Sequence, residues 1–427
     1  MAVITDELVR DDVRSWIADN WDPDITLAEW WERLCESGWA VPTWPEQWFG
    51  KGLPRELAGV VSEELRAAGA IGPPSGLGVL LAGPTILAHG DDAQRERYLR
   101  PILNGQEAWC QLFSEPGAGS DLASLQCRAE RDGDEWIVNG QKVWTSGGQT
   151  ADLGMLVART NPDAPKHKGI SYFAIEMDQP GVEVRPLREM TGRSLFSEVF
   201  FSDARVNRSA TIGELNGGWA VANTTLANER TGLGSGGSGA VGGAMPGKKA
   251  KQLERRVGDL TAGRGRDRAE RAVAGRQSNL LEKLAKDVGR DQDPNIRQRL
   301  AELHILNEVG RFTALRVKAA KASGRGPGPG ANTAKLLMSK ITRLSRDLGL
   351  EILGPHGMLM GPETPGGGIA QELALFAPAV SIYGGSDEVQ KNIIGERVLG
   401  LPKEPDADRV KTMPFRELKV GTQRAAS

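Results

Sequence analysis

Three short polar turns hold most of the side chains able to do chemistry in this sequence: FSEPGAGSD (Phe113 to Asp121), NGQKVWTSGG (Asn139 to Gly148) and SIYGGSDEVQKNI (Ser381 to Ile393). The first packs a fixed-φ proline, permissive glycines and short polar side chains into one loop. That composition suits close backbone approach to a ligand and exposed N–H donors; a plain structural turn is the competing reading. The second carries an aromatic, Trp144, that either faces a flat ring or fills the core. The third offers an aromatic residue, a hydroxyl and two acids, yet puts Gly384 where a reactive side chain is expected. Far upstream, LANERTGL sets Glu229 beside Arg230 in a helical pattern, where a glutamate is ordinarily solvated or ion-paired.

Other chemistries find little support. His89, His167 and His304 have no companions at metal-ligand spacing, and His356 in GPHGM reads as a hydrogen-bonded structural histidine. Cys35, Cys110 and Cys127 form no C-x-x-C pair and no disulfide framework, which points to a reducing compartment. GGAMPGKK (Gly242 to Lys249) nearly spells a phosphate loop but has Lys249 in place of the magnesium-binding hydroxyl, and no strand leads into it. No strand-turn-helix carries G-x-G-x-x-G, so a Rossmann site is not expected.

The elements that position these turns follow from the patterning. The 427 residues, net charge of -2 and 25% charged side chains describe an ordinary globular chain that calls for neither nucleic acid nor membrane. The N-terminus lacks a secretory signal and no apolar run of spanning length occurs, so the cytosol is the expected location. Helical spacing, as in LAGVVSEELRAAGA, predicts a helical domain over residues 1–106. Short β-branched runs between Asn-Gly, Gly-Gly and Pro-Gly turns predict a middle β-barrel or sandwich domain over 107–213. Long helical patterns return over 214–427, giving an α+β chain with segregated blocks. Inside the last block, residues 232–276 are glycine-rich and then basic; Lys248 to Arg276 carry ten basic and four acidic residues. This stretch reads as a solvated, partly mobile insertion, or as a basic face that steers an anionic substrate.

The two turns in a β block between helical blocks, followed by EILGPHGM and IYGGSDEVQKNI in order, resemble the acyl-CoA dehydrogenase family of flavoproteins. The resemblance covers nearly the whole chain. It implies FAD bound by Gln111, Phe113, Ser114, Gly119 and Ser120 of the first loop, with Ser120 also beside the substrate's pantetheine arm. Trp144, Thr145 and Ser146 would lie against the isoalloxazine ring. Glu351, Gly354 and Pro355 match a segment that meets the adenylate half of FAD across a subunit interface, although a glutamine is frequent at position 351. Ser386 and Glu388 match further flavin contacts, and Tyr383 and Gly384 border the substrate.

In many relatives the residue at Gly384 is the glutamate that removes the α-proton. A minority branch places that base on the helix opening the C-terminal domain, immediately before an arginine, which corresponds here to Glu229 and Arg230. The resemblance then implies α,β-dehydrogenation of an acyl-CoA to a trans-2-enoyl-CoA, with Glu229 as base and Arg230 supporting the substrate mouth or forming an ion pair. A carboxylate fits this task when burial raises its pKa and hydrogen bonds stabilise the enolate. Those bonds would come from a flavin hydroxyl and the Gly384 backbone N–H. An electron-transfer flavoprotein is the implied acceptor. An arginine-aromatic-glycine signature common in relatives is not evident; KLAKDVGRDQDPNIRQR occupies its place, leaving a homo-oligomer or a heteromeric assembly open. A non-catalytic partner subunit and a flavin-dependent oxidase are the alternative readings. Gly384 also opens room for branched, long or ring-bearing acyl groups.

Overall fold

The computed structural model describes residues 4–234, 244–262, 277–323, 330–361, 363–403 and 412–418. Helices come first. Thr5 caps α1 (Asp6–Asn20), whose Val9, Val13 and Ile17 recur every four residues and are buried. Thr26 caps α2 (Leu27–Ser37), which ends at Gly38 in the left-handed region (φ 78°). Then come α3 (Ala58–Ala67), α4 (Gly83–His89) and α5 (Asp92–Leu103), the last opened by an Asp91/Gln94 capping box.

A seven-stranded curled sheet fills the middle: β1 (Trp109–Leu112), β2 (Arg128–Asp132), β3 (Glu135–Ser146), β4 (Leu153–Arg159), β5 (Ile170–Glu176), β6 (Val182–Leu187) and β7 (Phe196–Asn207). The strand order is β1-β4-β2-β3-β7-β6, with β5 on β4. The register of β3 against β7 shifts between Lys142 and Thr145, within the second polar turn. Leu99, Phe113, Leu156, Phe173 and Val221 share one core, so the sheet and the helices on either side of it are packed together.

The C-terminal block contains α6 (Gly218–Gly234), α7 (Val257–Ala262), α8 (Gln277–Asp287), α9 (Pro294–Ala322), α10 (Gly330–Leu353), α11 (Ile369–Val380) and α12 (Asp387–Ile393). A separate core of Leu281, Leu284, Ile296, Leu303, Leu348 and Ile352 joins α8, α9 and α10. Helix, strand and helix blocks therefore succeed one another as the α+β reading expects. Among the described residues no helix is long and apolar enough to cross a membrane.

The basic insertion requires a correction. Residues 244–262 are not a solvated excursion; they lie along the N-terminal helices as a strap. Leu27 and Ala28 donate to the carbonyls of Arg255 and Leu253, both at 2.9 Å, and Val257 and Gly258 donate back to Ile25 and Pro23 at 3.0 and 2.9 Å. Ala244, Val257 and Leu260 are buried in the core of the first helices. The sequence hides this because the basic residues Lys248, Lys249, Lys251, Arg255 and Arg256 all face outward while Ala244, Val257 and Leu260 face in. Gly247 sits at φ 99° with its N–H on the Gly105 carbonyl at 2.8 Å, which makes GGAMPGKK part of a docking contact. Residues 235–243 and 263–276 of the same expectation lie outside the described residues.

Truncating Val257 to alanine removes two buried methyls and should lower stability by about 2 kcal/mol in denaturant unfolding. Replacing exposed Arg256, whose pairing with Asp24 spans 3.4 Å, should change little.

Candidate active site

The first two turns are joined by a buried ion pair. Lys142, with no side-chain exposure, meets Glu115 at 2.8 Å and donates to the Phe113 carbonyl at 3.0 Å. Glu115 also accepts from the backbone N–H groups of Gln126 and Cys127 at 2.7 and 2.9 Å. Glu115 and Ala118 exchange backbone bonds across the FSEPGAGSD loop, and Val143 donates to the Ser114 carbonyl at 2.9 Å. Both carboxylate oxygens thus have a donor, as a charge at this depth requires. Neither Glu115 nor Lys142 stood out in the sequence. The one available signal was a lysine at a position where β3 alternation calls for a buried side chain.

The register shift in β3 decides what the second turn presents. Trp136, Val138 and Lys142 point inward on alternate positions, and unbroken alternation would bury Trp144 with them. Instead Trp144 takes a left-handed backbone (φ 61°) and is 57% exposed, touched edge-on by Phe196 at 5.8 Å. A tryptophan in that conformation is strained, and such strain persists where the surroundings fix it. Thr145 turns the other way and is fully buried. Its hydroxyl and that of its cross-strand partner Ser197 have no hydrogen-bond partner, which marks this strand end as a place where a polar group is expected. Ser146 and Gln111 are half-buried, and Gly119 and Ser120 are exposed; nothing lies within 4 Å of a side chain built at Gly119. An uncovered flat aromatic, orphaned hydroxyls and an open glycine loop fit the ring system the resemblance implies.

Glu229 is placed by α6. Val221, Ala222 and Thr225 form its buried stripe, and Glu229 follows Thr225 by four residues, on the same face. Thr225 shares hydrogen bonds with Thr85 (2.9 Å) and Tyr172 (3.2 Å), and Thr224 with His89 (2.8 Å). Burial pulls the His89 imidazole below its ordinary pKa. Gly218 permits the close approach at the helix start, since a side chain there would come within 2.5 Å of the Ser171 backbone. So anchored, α6 brings the half-buried Glu229 carboxylate to Gln111 on β1, whose amide donates to it at 3.4 Å. The side chain of Arg230 lies outside the described residues.

The third turn is fixed from below. Gly384 and Gly385 have φ of 64° and 83°, a region that disfavours any side chain. Ser386 caps α12 by accepting from Val389, and Glu388 is exposed. Asp387, which the sequence reading passed over, is buried and meets Lys335 (3.0 Å), Ser339 (2.7 Å) and Arg343 (2.9 Å) of α10. Burial alone would raise its pKa; the hydrogen bonds from Arg343, Ser339 and Lys335 outweigh it and hold it at about 2. Tyr383 packs near Phe376 at 6.2 Å. Since α10 also packs on α6, the glycine turn and Glu229 belong to one packed assembly.

Glu351, Gly354 and Pro355 stand apart from these groups, at the far end of α10. The Glu351 carboxylate is engaged by Arg299, and its carbonyl by Arg290, so the side chain is already committed to the segment that replaces the expected arginine signature. Gly354, Pro355 and His356 are exposed. Met358, Leu359 and Met360 beside them are 86%, 55% and 57% exposed.

Family models for the N-terminal, middle and C-terminal domains of acyl-CoA dehydrogenases match residues 4–106, 110–204 and 275–399. Acyl-CoA dehydrogenase IpdE1 of Mycobacterium tuberculosis is 36% identical, over 93% of this chain and 98% of that one. The chain belongs to the acyl-CoA dehydrogenase family. It is an oxidoreductase that acts on acyl-CoA, in a family of flavoproteins. Acyl-CoA dehydrogenase FadE34 of the same organism is 35% identical over 87% of this chain and 46% of that longer one. Among solved structures, the Tcur3481-Tcur3483 steroid ACAD shares 28% identity at a TM-score of 0.69, over 93% of this chain and 98% of that one. The ChsE4-ChsE5 complex of M. tuberculosis shares 28% at 0.67, over 95% and 100%. The matched family ranges leave out residues 205–274, which hold Glu229 and the strap.

Two outcomes follow for this acyl-CoA dehydrogenase. Lys142→Met should cost about 3–5 kcal/mol in denaturant unfolding by stranding Glu115, and adding Glu115→Gln should recover much of it. Asp387, depressed in the folded state, contributes stability that is intact above about pH 4, the unfolded carboxylate pKa. That contribution is lost as pH falls through about 2, and Asp387→Asn should flatten acid unfolding in that window.

Proposed function

We propose that the chain removes hydrogen from Cα and Cβ of an acyl-CoA thioester to give the trans-2-enoyl-CoA, with Glu229 as the base. The observation that carries this reading is the contact between Glu229 and Gln111: it sets a carboxylate against the first motif strand, in a chain whose usual base position is Gly384. Gln111 orients the carboxylate through its amide, and Glu229 takes the α-proton. The Gly384 backbone N–H is the donor proposed for the thioester oxygen, where negative charge develops. Ser120 and Tyr383 border the thioester arm, and Arg230 supports the mouth. Trp144 and Ser146, with Gln111, Phe113, Ser114, Gly119 and the Thr145 backbone, are the residues proposed to hold FAD. When bound, FAD supplies the two-electron oxidant for the hydride leaving Cβ. An electron-transfer flavoprotein is the proposed acceptor.

The missing side chain at Gly384, together with a structural neighbour described as a steroid ACAD, supports a bulky acyl group. A second reading, a heteromer in which this chain completes a partner's site, is favoured by the two-component neighbours and by Glu351 being held by Arg299. Ile305, Val309, Phe312 and Leu315 leave an apolar stripe of α9 48–59% exposed, as an oligomer contact would require.

Anaerobic mixing of the flavin-loaded protein with a panel of acyl-CoAs tests the assignment. Flavin bleaching should be fastest with branched or ring-bearing acyl groups, and Glu229→Gln should slow it by about 10²–10⁴ without weakening binding. An unchanged rate would reject Glu229 as base. Protein that is colourless until co-expressed with a partner would select the second reading, and rapid reoxidation by oxygen would select an oxidase.

A further inference from the structure

The end of β3 away from the Trp144 turn borders a cavity of about 560 Å³. Arg128, Arg131, Arg159 and Arg416 line it, with the rings of Trp136 and Phe415. Trp136 and Trp144 lie eight residues apart on one strand, roughly 25 Å at a rise of about 3.3 Å per residue, so this cavity is separate from the turn that presents Trp144, while on its other side Arg159 is linked through Lys166 to Asp121 of the first loop.

Its charge is unbalanced. Among the described lining residues Glu130 is the single acid, and Arg128 already donates to it at 3.3 Å. Arg416 also pairs with surface Asp163 at 2.8 Å. Arg159 is 3% exposed, yet its hydrogen bonds go to carbonyls: Lys166 and Ala123 at 2.7 Å, and Leu125 at 3.4 Å. Its Nε has no partner, and neither has the indole N–H of Trp136. Burial draws the Arg159 guanidinium down to about 10, with Glu115 opposing, which leaves it charged at neutral pH.

A buried cation with no carboxylate among its hydrogen-bond partners is costly, and buried donors ordinarily find a partner. Guanidinium forks match phosphate oxygens, and aromatic faces suit a flat base. We propose that this cavity is a second ligand site, built for a nucleoside phosphate and independent of the acyl-CoA cleft. Arg128 and Arg416 meet the phosphates at the surface, over the fixed positive charge of Arg159. The Phe415 ring covers that guanidinium at 3.7 Å, so full engagement of Arg159 involves displacement of the ring. Phe415 and Arg416 are themselves pinned by backbone bonds to Ala164 and Pro162, both at 3.0 Å.

Calorimetric titration of the flavin-loaded, full-length protein with ADP tests this, because the flavin site is then filled. One ADP should bind per chain and remain bound in saturating coenzyme A. Arg128→Ala should weaken binding about tenfold, the loss of one charge-assisted bond, and adding Arg416→Ala should weaken it further. Arg208→Ala, at an exposed position outside the cavity, should leave binding unchanged. Absence of binding at millimolar ADP, indifference to the Arg128 and Arg416 substitutions, or displacement by coenzyme A would each overturn the proposal. Displacement would mean that the cavity belongs to the substrate's own nucleotide track.

Discussion

The contact between Glu115 and Lys142 fixes the geometry on which the candidate site depends. Two opposite charges lie in a region nearly closed to water, where each would be costly alone and where the pair is supported by further hydrogen bonds from the Gln126 and Cys127 N–H groups and to the Phe113 carbonyl. One partner closes the loop after β1; the other sits on β3 just before its register shift. The pair therefore sets the separation between Gln111 and Trp144, that is, between the strand that meets the proposed base and the aromatic proposed to face the flavin. Because the interaction is short and directional, a small displacement of either strand would strand a buried charge, which gives the site its stiffness.

Two further constraints extend this frame into the helices. Hydroxyl contacts from Thr224 and Thr225 hold α6 against α4 and β5, so Glu229 arrives at β1 by helical periodicity from a buried anchor. Asp387 ties the glycine turn to Lys335, Ser339 and Arg343 of α10. With φ of 64° at position 384, a side chain there would be strained as well as positioned from another direction. The reciprocal arrangement, a glycine in a left-handed turn and a carboxylate on α6, relieves the turn of that strain.

The surface divides into covered and uncovered parts. Residues 244–262 close over the N-terminal helices with β-type backbone bonds and a few buried apolar side chains. By contrast, the stripe on α9 and the apolar residues after α10 remain open to solvent in the single chain. Such patches are larger than isolated surface hydrophobics and lie on the same block as Glu351, Gly354 and Pro355, the residues matched to a contact across subunits.

Much of the fold and the family was legible in the sequence because their signals are local. The order of helical, strand and helical blocks follows from periodicities of 3.6 and 2, and the four motifs are contiguous, so the resemblance to the family, and with it the proposal that Glu229 stands in for the side chain Gly384 lacks, could be drawn from the sequence. The tertiary structure decided what depends on distant partners. Glu115 and Lys142 are 27 residues apart, and Asp387 reaches 44 to 52 residues back to Arg343, Ser339 and Lys335; alternation or propensity cannot pair such residues. The outward turn of Trp144 arises from a bulge that reverses the parity of β3, and a one-residue reversal leaves no trace in composition. The strap was hidden for a related reason: its backbone supplies the docking bonds, and backbone groups are the same in every sequence.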